Sequence, residues 1–361
     1  MHVLTLNPGS SSMKVSLVAD GAAVGWAAWD MAVPGVVAQA VRRWSDVDAV
    51  AVRFVHGGTQ KAPARVDDVL LANLERLTPL APNHQPLSLS VTREVRRLLP
   101  DVPVVACFDT AFHARMPEAA ARYPLPRAWT AQNRLRRYGF HGLSCQYALR
   151  RTGELLGRTP EELQLVCAHV GAGVSVTAIR DGHGVDTSMG FTPLEGAMMA
   201  TRSGSIDPGL LLHVMQTAPM SPAEMADALF HRSGLAGMTG TNGDLRRVLA
   251  AAARGERDAE VALDVYRHRL CREIGAAAMS LSRLDAVVFT GGVAEHQPGL
   301  ITSVIARLGV LGLRAGQVPH TETDRVVTAP DSPVPALIVL PREDLELARG
   351  AEEALARVSV R

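Results

Sequence analysis

The sequence predicts an α/β protein made of two related lobes. Short β-branched runs bounded by Gly, Pro or Asp alternate along the chain with apolar residues at helical spacing. A strand–glycine turn–strand pattern occurs twice, as VLTLN-PGSSSMK-VSLV near the start and as LVCAHV-GAG-VSVTAI in the middle. At 361 residues the chain is long for one hydrophobic core and comfortable for two.

Val3–Leu6 and Val15–Val18 read as strands around the first glycine turn, and Ala49–Val55 as a third strand. Apolar spacing then predicts helices over Val66–Leu77 and Leu87–Leu99, a strand at Val102–Phe108 and a helix over Leu143–Leu156. The second half opens with strands at Leu165–His169 and Val174–Ile179. Helices over Pro222–Phe230, Leu245–Ala253 and Ala259–Leu281 follow, then a strand at Ala286–Thr290 and a helix over Leu300–Leu308. A strand at Ala336–Leu340 and a helix over Asp344–Val358 close the chain.

Charge and cysteine use narrow the function classes. Lys+Arg 37 against Asp+Glu 36 gives no electrostatic case for nucleic acid or an anionic membrane as partner. The start, MHVLTLNPGS, lacks a basic segment followed by an apolar one, and no apolar run approaches bilayer-spanning length, so a cytoplasmic protein is expected. Cys107, Cys145, Cys167 and Cys271 are scattered without C-x-x-C spacing, which predicts reduced core thiols rather than disulfides or a metal site.

From Asp186 to Gly209, DTSMGFTPLEGAMMATRSGSIDPG follows neither a helical nor a strand period. A loop that long inside a compact domain is uncommon unless it is functional. Its one cation, Arg202, lies between Thr201 and Ser203. A fixed guanidinium among hydroxyls and backbone N–H groups suits a transferring phosphoryl group or a carboxylate. A surface arginine in a turn would carry the same letters.

The glycine turns add to this. NPGSSSMK offers Asn7 as an oxygen ligand, Ser10 and Ser12 as hydroxyl donors and Lys14 as a cation. Its spacing is not that of a Walker A loop, yet small residues let backbone donors approach a phosphate that the lysine neutralises. Asn7 suits Mg²⁺, an ion that keeps much of its hydration shell; a plain serine-rich turn is the alternative. In VRFVHGG, Arg53 and Val55 share a strand face, and Arg53 serves either a carboxylate ligand or a structural acid. ACFDTAFH ends a strand with Asp109, at the terminus where ligand sites gather in open α/β sheets. RRYGFHG supplies Phe140 and His141, the latter a donor for a phosphoryl oxygen or a structural histidine. HVGAG, from His169 through Val170, Gly171 and Ala172 to Gly173, is a turn whose N–H groups can converge on an anion, and FTGGVAEH is another. GDLRR places Asp244, Leu245 and Arg246 near a ribose or base, or merely at an exposed helix start. Glu343, in LPREDL, opens a predicted helix, where the dipole alone favours an acid and a Mg²⁺-side carboxylate is the sharper reading.

Taken together these segments resemble the acetate kinase family. The resemblance runs in order from Leu4 to about Ala348 through NPGSSSMK, VRFVHGG, LAPNHQP, FDTAFH, RRYGFHG, HVGAG, DTSMGFTPLEG, TRSGSIDPG, SGLAGMTG, GDLRR and FTGGVAE. It implies a duplicated ribonuclease H-like fold, that of the actin-like ATPases, with an active-site cleft between two lobes. The expected lobes are 1–113 plus 345–361 and 114–344. It also implies a homodimer and reversible, Mg²⁺-dependent phosphoryl transfer between ATP and a short carboxylate.

By the same resemblance, Asn7 and Glu343 belong to the Mg²⁺ site, and Lys14, Ser10 and Ser12 to nucleotide phosphate binding. Arg53 holds the carboxylate or acyl phosphate, with Val55, Asn83, Phe140 and Pro193 around its alkyl group. Asp109 is the active-site acid, and His141 and Arg202 stabilise the phosphoryl group in flight. His169–Gly173, Asp244–Arg246 and Gly292, Val293, Ala294, Glu295 and His296 line the nucleotide cleft. The chain departs from the family at Asn83 (leucine), Gln85 (asparagine), Ala172 (asparagine), Leu143 (threonine), Cys145 (histidine), Ala294 (glycine) and His296 (asparagine), and in a short segment between Lys14 and Arg53. Another small acid, a phosphate or pyrophosphate donor, or a non-catalytic nucleotide-binding relative are the alternatives these departures leave open.

Overall fold

The computed structural model describes all residues except 10, 11, 32, 34, 219, 317–322, 360 and 361. It divides into unit 1, comprising Met1–Met116, Tyr138–Tyr147 and Arg342–Arg361, and unit 2, comprising Pro117–Arg137 and Ala148–Pro341. Residues 138–147, which carry the YGFHG part of the RRYGFHG motif into the following helix, fall in unit 1, whereas Arg136 and Arg137 fall in unit 2.

Unit 1 is built on six strands: β1 His2–Pro8, β2 Ser12–Ala19, β3 Ala22–Asp30, β4 Ala49–Phe54, β5 Ala64–Arg65 and β6 Val104–Phe108. Their order is β3-β2-β1-β4-β6-β5, with β1, β2 and β3 an antiparallel meander and β1, β4 and β6 parallel. Parallel neighbours require crossovers, which α1 (Val36–Arg43), α2 (Asp68–Glu75) and α3 (Gln85–Leu98) supply. The period of two then divides the core. Leu4, Leu6, Val50, Val52 and Phe54 face Val37 and Val41 of α1, Leu70 and Leu74 of α2, and Leu89 and Val95 of α3. Val3, Ala49, Ala51 and Val105 face the other way, against Leu347, Ala348 and Ala351 of the closing helix Glu343–Ser359. Covering both faces is why the parallel strands read as continuous apolar runs.

Unit 2 repeats the plan. Its strands are β7 Leu165–Val170, β8 Val174–Arg180, β9 His183–Thr187, β10 Ala286–Thr290, β11 Arg325–Val326 and β12 Ala336–Ile338. Their order, β9-β8-β7-β10-β12-β11, follows the same path as the first sheet, with β7, β10 and β12 parallel. The two strand–glycine turn–strand segments are thus equivalent hairpins, β1–β2 and β7–β8. Its longer helices are α4 (Gly142–Leu156), which begins in unit 1, α5 (Pro208–Thr217), α6 (Pro222–His231), α7 (Leu245–Ala253), α8 (Arg257–Ala278) and α9 (Pro298–Ile305). On α8, Leu263, Tyr266, Leu270 and Ile274 make one buried stripe, and the helix packs on β7 and β8.

Several elements were not expected, among them the two-residue edge strands β5 and β11. Strand β3 lies at a sheet edge with Trp26 73% exposed and Val24 61% exposed, so no apolar-in, polar-out alternation marks it. Helix α1, strand β9 and helix α5 likewise fall where the sequence predicts no element. The aperiodic loop correspondingly loses its ends: Asp186 and Thr187 finish β9, and Pro208 opens α5. The strand predicted to reach Val55 stops at Phe54, so the shared face of Arg53 and Val55 is not a strand face. Cys107, Cys145 and Cys167 are buried and Cys271 is half-buried, and all four are free thiols. No described helix is long and apolar enough to cross a membrane.

Candidate active site

Because β1, β4 and β6 are parallel neighbours, their C-terminal ends meet, and each delivers one polar side chain there: Asn7, Arg53 and, one residue past β6, Asp109. Arg53 is the centre of this group. Its Nη2 donates to Asp109 Oδ2 at 2.7 Å and its Nε to both Asp109 oxygens at 3.2 Å. Its Nη1 donates to Asn7 Oδ1 at 3.0 Å and to Glu343 Oε2 at 3.3 Å, while Asn7 Nδ2 donates to Glu343 Oε2 at 2.6 Å. Glu343 is the first residue of the closing helix. Asp344 turns away to pair with Arg342 at 3.0 Å, so Glu343 is the acid beside Asn7.

Asp109 is wholly buried. Burial raises its pKa, against the opposing pull of Arg53, its hydrogen bonds and the Leu143 amide. Burial also pulls on Arg53, but Asp109 and Glu343 more than reverse this and hold the guanidinium above its ordinary value. This group therefore presents a fixed cation whose orientation is set by the acids around it.

The Leu143 amide belongs to the turn that carries His141. His141 has φ 56°, a left-handed conformation, and Gly142 follows it at a point where a Cβ would overlap the Asp109 carbonyl oxygen and crowd the Phe112 Cβ at 2.8 Å. Glycine there lets the FHG turn lie against the strand end bearing Asp109. Phe140 is buried, and its carbonyl accepts from His113 Nε2 at 3.1 Å.

His113 and the equally buried His56 have a consequence for stability. Burial lowers both from the ordinary 6.5 to about 4. Between those values the unfolded chain binds protons that the folded chain refuses, so stability is complete above about pH 6.5 and declines as the pH falls toward 4. Thermal denaturation across that window should show a falling Tm. His113→Gln cannot titrate and should flatten the slope; an unchanged slope would refute the assignment.

In unit 2 the equivalent parallel strands β7 and β10 pair Thr290 with His169, which sets the two glycine turns side by side. The Gly171 amide donates to the Gly173 carbonyl at 3.0 Å, and the exposed Ala172 accepts from Ala200 N at 3.2 Å, tying this turn to the loop of Arg202. Arg202 is part-buried. Its Nη1 donates to the Pro193 carbonyl at 2.9 Å and lies 3.9 Å from Met199 Sδ. Among the described residues no carboxylate pairs with it, and burial lowers its pKa.

The remaining predicted residues are placed as follows. Lys14 is exposed on β2 directly opposite Asn7 in the ladder, and Ser12 starts that strand; Ser10 lies outside the described residues. Val55 and Pro193 are buried and Asn83 is exposed, so the Asn83 amide is hydrated in this structure. Asp244 caps α7 by accepting from the Arg246 amide at 3.0 Å and pairs with the exposed Arg246 guanidinium at 2.8 Å. Leu245, Val170 and Ala294 are buried, with Ala294 wholly so, whereas His296 and Gly292 are exposed and Val293 and Glu295 half-buried. The sequence reading missed a cluster in which Tyr123 and Arg137 bond to Glu195 of the Arg202 loop, although Arg137 and Glu195 lie inside RRYGFHG and DTSMGFTPLEG.

This duplicated scaffold, with one arginine held among acids and another that no described carboxylate pairs with, is one found in α/β kinases. The acetokinase family's sequence profile matches residues 27–349. The chain is 44% identical to the acetate kinase of Synechococcus sp. (strain JA-2-3B'a(2-13)) over 86% of this chain and 77% of that protein. Its structure is similar to the crystal structure of Porphyromonas gingivalis acetate kinase, with TM-score 0.87 and 30% identity over 98% of this chain and 99% of that one. It is also similar to a propionate kinase from Francisella tularensis subsp. tularensis SCHU S4, with TM-score 0.89 and 28% identity over the same shares. The chain belongs to the acetokinase family and is a kinase that phosphorylates a carboxylate with ATP.

Proposed function

We propose that the chain transfers a phosphoryl group reversibly between ATP and acetate or a slightly larger acid, in the cytoplasm, as a Mg²⁺-dependent homodimer. The observation that carries this reading is Arg202, a part-buried guanidinium to which no described carboxylate is committed. A transferring phosphoryl group spreads negative charge over its equatorial oxygens, and preorganised cations are the main protein contribution to such chemistry. Arg53 receives the acid's carboxylate, Asp109 holds Arg53 in register, and His141 donates to a phosphoryl oxygen. The acid is already ionised at neutral pH, so no general base is needed. Lys14, Ser10 and Ser12 serve the nucleotide phosphates. The HVGAG turn, Asp244–Arg246 and residues 292–296 serve the rest of the nucleotide.

Asn7 and Glu343 would hold the metal. An amide oxygen and a carboxylate oxygen are hard donors of the kind Mg²⁺ takes, and their side chains are joined at 2.6 Å. When bound, the metal would supply positive charge that offsets the charge of the phosphate groups. The dimer is supported by α5, an apolar helix with no buried residue, on which Leu212 is 63% and Leu210 51% exposed.

A hydroxamate assay over a panel of short acids, with ATP, phosphate or pyrophosphate as donors, tests the activity. No acyl phosphate from any pair would refute it. Within that panel Asn83→Leu should lower KM for acetate roughly threefold to tenfold, since each buried methylene contributes about 0.8 kcal/mol and the hydrated amide no longer has to be covered. An unchanged or raised KM would remove Asn83 from the acid's surroundings.

A further inference from the structure

We propose that Tyr123, Arg137 and Glu195 form a clamp that sets the position of the Arg202 guanidinium through the backbone of residues 187–195. The inference rests on the reading that Arg202 meets the transferring phosphoryl group.

The three side chains grip this backbone at several points. Tyr123 Oη donates to Glu195 Oε2 at 2.5 Å and accepts from the Phe191 amide at 2.8 Å. Arg137 Nη2 donates to Glu195 Oε1 at 2.8 Å, and its Nη1 donates to the Thr187 and Ser188 carbonyls at 3.1 and 3.2 Å. The Arg137 guanidinium also lies 5.4 Å from the centroid of the Tyr123 ring. The fit leaves no room for another side chain: a Cβ at Gly190 would overlap both the Glu195 carboxylate and the Tyr123 hydroxyl.

The held segment leads directly to Arg202. Two residues before Glu195, the Pro193 carbonyl accepts from Arg202 Nη1 at 2.9 Å. One residue after it, Gly196 donates to Ser205 Oγ at 2.9 Å and accepts from the Ser205 amide at 2.8 Å, closing the loop that carries Arg202. Glu195 thus sits between the carbonyl that orients the guanidinium and the clasp that fixes its backbone. Arg137 and Glu195 neutralise each other, so the clamp adds no net charge to compete with Arg202 for an anion. Burial keeps Tyr123 protonated well above its ordinary range, with the Glu195 hydrogen bond adding to it, so the hydroxyl remains a donor at working pH.

Tyr123→Phe deletes one oxygen and with it the grip on Glu195 and Phe191. Since a displacement near 1 Å costs about 10²-fold in rate, a partial release should lower kcat roughly tenfold. KM for the acid and for ATP should stay within about twofold, and Tm should move little. Amide exchange across 187–205 should become faster. Arg137→Lys, which keeps the charge toward Glu195 but loses the fork to the two carbonyls, should retain more kcat than Arg137→Gln. A Tyr123→Phe enzyme with unchanged kcat, or a loss of kcat that only tracks Tm and KM, overturns the clamp. If the native chain forms no acyl phosphate, the proposed function fails. The clamp is then judged on exchange alone: faster exchange in 187–205 supports it and unchanged exchange overturns it.

Discussion

Arg202→Ala should lower kcat by roughly 10²–10³ while leaving KM for the acid within about threefold. The size follows from what Arg202 lacks. Arg53 is already paired with Asp109 and Glu343, but Arg202 gives one hydrogen bond to a neutral carbonyl and none to a described carboxylate. Part of its desolvation is therefore uncompensated in the resting protein and, on the proposed role, would be recovered when an anion arrives. That interaction is strongest when charge has spread over the phosphoryl oxygens, so its loss appears in kcat. Arg202→Lys should rescue little, because a point charge cannot reproduce the planar fork. Removing Arg202 orphans no acid, so Tm should not fall. Steady-state kinetics with the best acid, beside a melting curve, decides the matter. A kcat within threefold of the native value would exclude Arg202 from the chemistry.

The parts legible from sequence were those where one strand end carries one polar residue. Asn7, Arg53 and Asp109 each close an apolar run, and the parallel pairing of β1, β4 and β6 makes three separate motifs into one group. The duplication was legible for a similar reason, since both hairpins keep small residues at the bend. Glu343 was harder, because Asp344 beside it fits a helix start equally well and only the pairing of Asp344 with Arg342 separates them. What stayed hidden has two physical causes. The Tyr123–Glu195 bond spans 72 residues and the Arg137–Glu195 bond 58, and no local period records a hydrogen bond made at that distance. Strand β3 and helix α5 were missed because they expose apolar residues, which leaves the sequence without the polar face that marks an ordinary surface element.

Asp109→Ala should destabilise unit 1 by about 3 kcal/mol, in contrast to the neutral effect on folding expected for Arg202→Ala. Asp109 is 1% exposed and takes three donor contacts from Arg53, so its removal leaves a buried guanidinium with a weaker hold at 3.3 Å on Glu343 and a neutral amide on Asn7. Breaking a buried pair from one side costs far more than the pair itself is worth, because the remaining charge stays desolvated. Arg53→Ala should be costly for the mirror reason, leaving Asp109 buried with the Leu143 amide and no cation. The Arg53→Ala, Asp109→Ala double variant should then lose clearly less than the sum of the two single losses, by at least about 1.5 kcal/mol. Asp109→Asn separates shape from charge: it keeps an acceptor for Arg53 and should fall between the native protein and Asp109→Ala. Denaturant melts of the four proteins of the cycle provide the measurement. Additive losses would mean that the two side chains are neighbours without being coupled, and Arg53 would then need another explanation for its orientation.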